Sequence, residues 1–156
     1  MRVRLVAAGT RLPAWIGAGY SEYARRLPPE TPLELIEVAV ARGSAQGAAG
    51  RARRQEGERM LAQLTPRHWV VALDVTGRAL DTAGMSRWWA GRLRDGRDLA
   101  FLVGGPDGLA REVLERADER MSLSPLTLPH GLVRVVLAEQ LYRAVSLLKG
   151  HPYHRE

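Results

Sequence analysis

Apolar residues in this chain fall into two alternating kinds of segment. Short continuous runs alternate with longer stretches at helical spacing. Val3 to Ala8, apolar apart from Arg4, is a short run that ends at Gly9, the pattern of a strand buried in a parallel sheet. Pro13 follows, where a first helical turn tolerates it, and Trp15, Ile16, Gly19, Tyr20, Tyr23 and Leu27 recur at helical spacing until Pro28-Pro29. Leu33 to Val40 reads as a second strand, interrupted by Glu34 and Glu37. The glycine-, alanine- and arginine-rich stretch 42–52 reads as a mobile loop or a frayed helix start. Arg53 to Leu64 is helical, with Met60, Leu61 and Leu64 on one face.

Trp69 to Leu73 is a third strand, ending at Asp74. Asp81 is placed to cap a helix that carries Met85, Trp88, Trp89 and Leu93 and stops at Asp95-Gly96. Leu99 to Val103 is the fourth strand. Leu109 to Ala117 is a helix with Glu112 and Glu115 toward solvent. Met121 to Leu128 is a short extended piece containing Pro125, and Leu132 to Leu148 is the last helix, ended by Gly150. About five strands interleave with about five helices. That alternation predicts an α/β fold with a mostly parallel sheet and helices on both faces. No repeat or linker divides the chain, so residues 1–156 are expected to form a single domain.

Composition narrows the classes. Apolar residues are 46% and charged residues 26%, as in ordinary globular proteins. The absence of cysteine excludes a disulfide scaffold, a cysteine zinc site and a cysteine nucleophile, and fits a reducing cytosol. No apolar run approaches the ~20 residues of a membrane span. The N-terminal apolar stretch is too short for a signal peptide, with Arg11 and Pro13 following at once. A cytoplasmic protein is expected. The net charge of +6 is uneven: residues 1–67 carry 11 Arg and 6 Glu, whereas 68–156 carry 12 basic and 11 acidic residues. A basic half points to a polyanion partner such as nucleic acid, although an arginine- and alanine-rich genome gives the same bias.

In an open parallel sheet, ligands bind at the carboxyl ends of strands. After the fourth strand comes Gly104-Gly105-Pro106-Asp107-Gly108, which is either a tight strand-to-helix turn or a loop that brings backbone close to a ligand. It is neither a dinucleotide fingerprint nor a P-loop. The segment from Ser122 to His130 is too irregular for a plain strand and too apolar for a surface loop. Its backbone groups need partners from the protein or from a bound ligand. The four histidines, His68, His130, His151 and His154, show no metal-ligand spacing, and no G-x-S-x-G elbow is present. The tail from His151 to Glu156 concentrates a tyrosine ring, two imidazoles and a guanidinium, groups that stack on bases and bind phosphate; the alternative is a disordered polar end.

These motifs together resemble the bacterial ribosomal large-subunit pseudouridine methyltransferases of the SPOUT, or α/β-knot, superfamily. The resemblance covers the chain from Leu5-Val6-Ala7 through Glu56-Gly57-Glu58 and Leu73-Asp74. It is strongest in Leu102 to Gly108, Ser122-Leu123-Ser124, Leu126-Thr127-Leu128-Pro129-His130, Glu139 to Ala144 and His151 to Glu156. Pro125 and the glycine-rich stretch 42–52 depart mildly from the family pattern.

The resemblance implies a trefoil knot in the C-terminal half, although chains normally avoid threading. It also implies a homodimer with its active site across the interface, and S-adenosylmethionine as methyl donor with no metal. The implied cofactor contacts are Leu73, Gly104, Leu123, Ser124, Pro125, Leu126, Thr127 and Leu128. The implied reaction is methylation of N3 of pseudouridine 1915 in 23S rRNA of the assembled ribosome. The alternatives are another RNA such as tRNA, or a ribosome-binding protein without catalysis. His130, Arg155 and Tyr153 are the candidate catalytic residues, with His130 as base or orienter and Arg155 as stabiliser of the N3 anion. Arg134, Arg143, His154 and Arg155 are the candidate RNA contacts; Arg134 and Arg143 would otherwise pair with Glu139 or an interface carboxylate. Leu137, Leu141 and Val145 of the last helix are the expected dimer face.

Overall fold

The computed structural model describes residues 1–40 and 48–155, with the side chains of residues 48, 49 and 154 outside the description. Residues 42–47 of the expected loop, and Glu156 of the tail, therefore lie outside the described residues. The elements in chain order are β1 (Val3–Ala8), α1 (Ala14–Ala24), β2 (Leu33–Val38), α2 (Ala48–Leu61), β3 (Trp69–Ala79), α3 (Thr82–Asp95), β4 (Leu99–Val103), α4 (Arg111–Arg116), β5 (Glu119–Ser122) and α5 (His130–Leu148). A 3-10 turn, Pro152–Arg155, follows.

The five strands form one sheet in the order β2-β1-β4-β3-β5, and every pairing is parallel. Alternation along β1 sends Val3, Leu5 and Ala7 to one face and Val6 and Ala8 to the other. On the first face they meet Tyr20 of α1, Met85 and Trp89 of α3, and Leu137 and Leu141 of α5. On the second they meet Met60 of α2 and Val113 of α4. β4 lies between β1 and β3 and is buried on both sides, which explains its unbroken apolar run. β2 is an edge strand, and Glu34 and Glu37 sit on its exposed positions. α3 is bounded as its residues require. The Asp81 carboxylate accepts the Gly84 N–H at 2.6 Å, and Gly96 ends the helix at φ 74°.

Four expectations are corrected. β3 does not stop at Asp74 but runs to Ala79; its register against β5 slips between Leu73 and Arg78. Asp74 turns the slip, accepting the Thr76 N–H and O–H at 2.7 Å each. Gly77 is pressed on β5, where a Cβ would stand 2.5 Å from the Met121 nitrogen. Of the extended piece 121–128, only the first two residues are strand; residues 123–129 are irregular. Trp15 is 59% exposed and Leu93 42%, so neither helps pack its helix. Leu137, Leu141 and Val145 are buried in the chain's own core, because α5 lies on the sheet flanked by α1 and α3; they cannot form a dimer face.

Candidate active site

β4 and β5 end beside the slip in β3 at Asp74, and there a cavity of about 520 Å³ opens. That is within the range of small-molecule sites, roughly 300–1,000 Å³. One wall is the glycine loop after β4. Gly104 is folded so tightly there that a Cβ would stand 2.6 Å from the carbonyl carbon and oxygen of Gly108. Gly108 takes φ 77° and donates its N–H to the Gly105 carbonyl at 3.0 Å. The opposite wall is Ser122 to Pro129. Its irregular backbone is shaped by side chains: Ser122 Oγ donates to the Ser124 carbonyl (3.0 Å), and Ser124 Oγ accepts the Leu126 N–H (2.9 Å). Leu73, Val103 and Val133 close the interior, and His130, the first residue of α5, stands at the lining.

The walls are mostly apolar, with backbone groups and a few hydroxyls for orientation. Such a lining fits a ligand with a flat ring and a flexible polar arm. At Gly104 the place of a side chain is taken by the Gly108 and Leu109 backbone, so only glycine lets the loop fold back on itself and form this wall. Burial, and then the Arg134 guanidinium, hold the His130 imidazole below its ordinary pKa of 6.5. At neutral pH the ring is uncharged and able to accept a proton. Gly9, at φ 109°, lies against it; a Cβ there would sit 3.3 Å from His130 Nε2. No group of three or more His, Cys, Asp or Glu is placed for a metal among the described residues.

Of the residues named from the sequence, Leu73, Gly104, Leu123, Ser124, Leu126, Thr127, Leu128 and His130 all line this one cavity. Pro125 lies in the same wall but points its exposure to solvent and is not part of the lining. Arg134 is 2% exposed, pairs with Glu37 at 2.6 Å and donates to the carbonyls of Gly9 and Ala8. Arg143 pairs with Glu139 at 2.6 Å. Tyr153 donates to Glu139 at 3.1 Å and packs on Tyr142, ring centres 4.6 Å apart. Burial and then the Glu139 charge push its phenol well above 10, so it serves as a donor near neutrality, not as a base. Arg155 is exposed, and the His154 side chain lies outside the described ones. Within one chain the tail is thus not brought to the cavity: His130 and Glu139 are separated by about 14 Å of rise along α5. The lining also includes Asp74, Gly105, Ser122 and Val133, which sequence reasoning did not name as site residues; each adjoins a strand end or a motif that it did name.

The chain matches, over residues 1–154, a family described as "Predicted SPOUT methyltransferase". Three similar proteins are each named ribosomal RNA large subunit methyltransferase H. The one from Alkalilimnicola ehrlichii is 57% identical over 155 residues, covering 99% of both chains. The one from Thioalkalivibrio sulfidiphilus is 53% identical over 156 residues and all of both chains. The one from Pseudomonas aeruginosa is 48% identical over 155 residues, covering 99% of this chain and all of the relative.

Proposed function

Because the chain belongs to the SPOUT methyltransferase family, among the large-subunit rRNA methyltransferases of the H type, we propose that it transfers a methyl group from S-adenosylmethionine to N3 of pseudouridine 1915 of 23S rRNA in the assembled ribosome. The observation that carries this reading is the cavity where β4 and β5 end beside the slip in β3. Gly104, the segment 123–128 and His130 converge there.

S-adenosylmethionine, when bound, supplies a methyl group on a sulfonium, an electrophile strong enough to need no metal. The chain's residues do the rest. Leu73, Gly104 and the backbone of 123–128 hold the donor and exclude water, which supplies rate through alignment. The acceptor N3–H must lose a proton. His130, neutral and at the lining, takes that proton as base, or else orients the target ring while the proton leaves to water. The protein acts as a homodimer with a trefoil knot in the C-terminal half of each chain, and Tyr153, His154 and Arg155 act on the partner protomer's site. This arrangement accounts for a tail that lies along its own α5 instead of at its own cavity. Arg155 then stabilises the N3 anion or clamps the RNA backbone.

The direct test is nucleoside mass spectrometry of 23S rRNA. Ribosomes that carry the pseudouridine but lack its methyl group are incubated with the protein and S-adenosylmethionine. N3-methylpseudouridine is the expected product. Methylation found only in tRNA pools would overturn the substrate, and ribosome binding without product would overturn catalysis.

His130 gives a second expected outcome. Its pKa is lowered, so turnover should fall as pH drops through a midpoint below 6.5, and His130→Gln should remove that acid limb. The same shift costs stability on the acid side, since the unfolded imidazole binds the proton more readily; this contribution is present above 6.5 and lost as pH falls. A pH–rate profile with the acid limb intact in His130→Gln would exclude His130 as the base.

A further inference from the structure

The motif Glu56-Gly57-Glu58 lies on α2, outside the cavity lining, yet it reaches the glycine loop. Glu56 is only 6% exposed, although it is a carboxylate. Its Oε1 accepts the Gly105 N–H at 3.1 Å. Three residues earlier on α2, Arg53 Nη1 donates to the Asp107 carbonyl at 3.3 Å. One helix thus grips both limbs of the same loop, at a donor on one side and an acceptor on the other. Gly57 lets the helix come close enough to do so: a Cβ there would meet Ala110 Cβ at 2.9 Å and Val113 Cγ2 at 3.0 Å.

Burying a carboxylate is costly unless its partners justify it. Burial is the main cause that pushes the Glu56 carboxyl above its usual range; the Gly105 N–H opposes this, Asp107 adds to it, and Arg59 opposes it. Arg59 gives no direct ion pair to Glu56, and its Nη1 bonds the Ala39 carbonyl at 2.7 Å. A buried carboxylate aimed at one loop amide next to Gly104 has little to gain for the core. It has much to do for the loop.

The geometry points to Glu56 as a positioning residue for the cofactor cavity: from α2 it fixes the Gly105 amide, and with it the Gly104 wall against which the donor lies. This role rests on the proposed use of the cavity for S-adenosylmethionine. Glu56 touches neither donor nor acceptor, so its effect is on donor affinity and not on the chemical step.

The experiment uses the full-length protein with Glu56→Gln, Glu56→Asp and Glu56→Ala. Glu56→Gln keeps an acceptor oxygen at full reach and should bind S-adenosylmethionine within about threefold of the original protein, while Glu56→Asp and Glu56→Ala should weaken binding about tenfold, the scale of one charge-assisted hydrogen bond. KM for the donor should rise correspondingly in those two, with kcat nearly unchanged. Amide hydrogen exchange should show protection of Gly105 kept in Glu56→Gln and lost in the other two. Glu56→Asp retains a carboxylate and covers the case in which Glu56→Ala does not fold. If Gly105 stays protected in Glu56→Asp, the grip itself is refuted. If protection is lost and affinity is unchanged, its role toward the donor is refuted. An original protein that binds no S-adenosylmethionine refutes the proposed function, and the exchange data still decide the grip.

Discussion

Gly104→Ala should weaken S-adenosylmethionine binding by about tenfold to a hundredfold, while Gly91→Ala leaves it unchanged. The added Cβ at residue 104 would stand 2.6 Å from the Gly108 carbonyl carbon and oxygen and 2.9 Å from the Leu109 nitrogen. These are backbone atoms, which cannot swing aside as the end of a flexible side chain can. The loop must therefore open, and the loop is one wall of the cavity. Overpacking of this kind costs about 1–3 kcal/mol, and here the strain falls on the cavity wall. At Gly91 a Cβ would meet nothing within 4 Å, so that variant controls for alanine on its own. Titration calorimetry with S-adenosylmethionine reads both. Equal affinity in Gly104→Ala would mean that the donor does not use this wall.

Arg134→Met should lower folding stability by about 3 kcal/mol, or roughly 6–12 °C in Tm for a chain of this length. Arg134 is 2% exposed and holds three acceptors on two segments: Glu37 on β2 at 2.6 Å, and at the end of β1 the Gly9 carbonyl at 2.7 Å and the Ala8 carbonyl at 3.1 Å. Methionine fills much of the space but donates nothing, so buried carbonyls lose their donor. Glu37→Gln should cost much less, because the Glu37 side chain is 39% exposed and water reaches it. The change also touches chemistry. Arg134 is the second cause, after burial, of the lowered His130 pKa, so its removal should move the acid limb of the pH–rate profile upward. Thermal denaturation and the pH profile check both parts. A Tm unchanged in Arg134→Met would show that the tie is not a structural one.

Arg134 also shows how far a sequence can mislead about a site. An arginine in a basic chain that meets RNA reads as a phosphate contact. Here its place on α5 faces the β1 end, and the nearest carboxylate comes from β2, 97 residues away in sequence. The same holds for Leu137, Leu141 and Val145. Their spacing marks an apolar stripe on a helix, but spacing does not say whether the stripe meets the chain's own sheet or another copy. β3 is a third case. Asp74 breaks the apolar run, yet pairing resumes at Arg78 because β5 is present beside it. A partner that is distant in sequence leaves no mark on local periodicity.

What was legible came from positions where local chemistry leaves one choice. β4 was bounded correctly because a strand buried on both faces is apolar throughout and ends at glycine, and β1 because its residues other than the half-buried Arg4 follow the same rule. α3 was bounded by Asp81 and Gly96 because a helix end must satisfy its own N–H and C=O groups nearby. The strand-end rule singled out the loop after β4 and the segment 122–130, each with an ordinary loop as its alternative, and the individual residues, from Leu73 and Gly104 to Leu128 and His130, came from the family resemblance. The strand order β2-β1-β4-β3-β5, the burial of Arg134, the reach of Glu56 to Gly105 and the lie of Tyr153 on Glu139 were settled by packing. The physical reason is common to all four. Each depends on which surfaces meet, across 14 residues for Tyr153 and Glu139 and 97 for Arg134 and Glu37, and that is fixed by the packing of the whole chain, not by local periodicity.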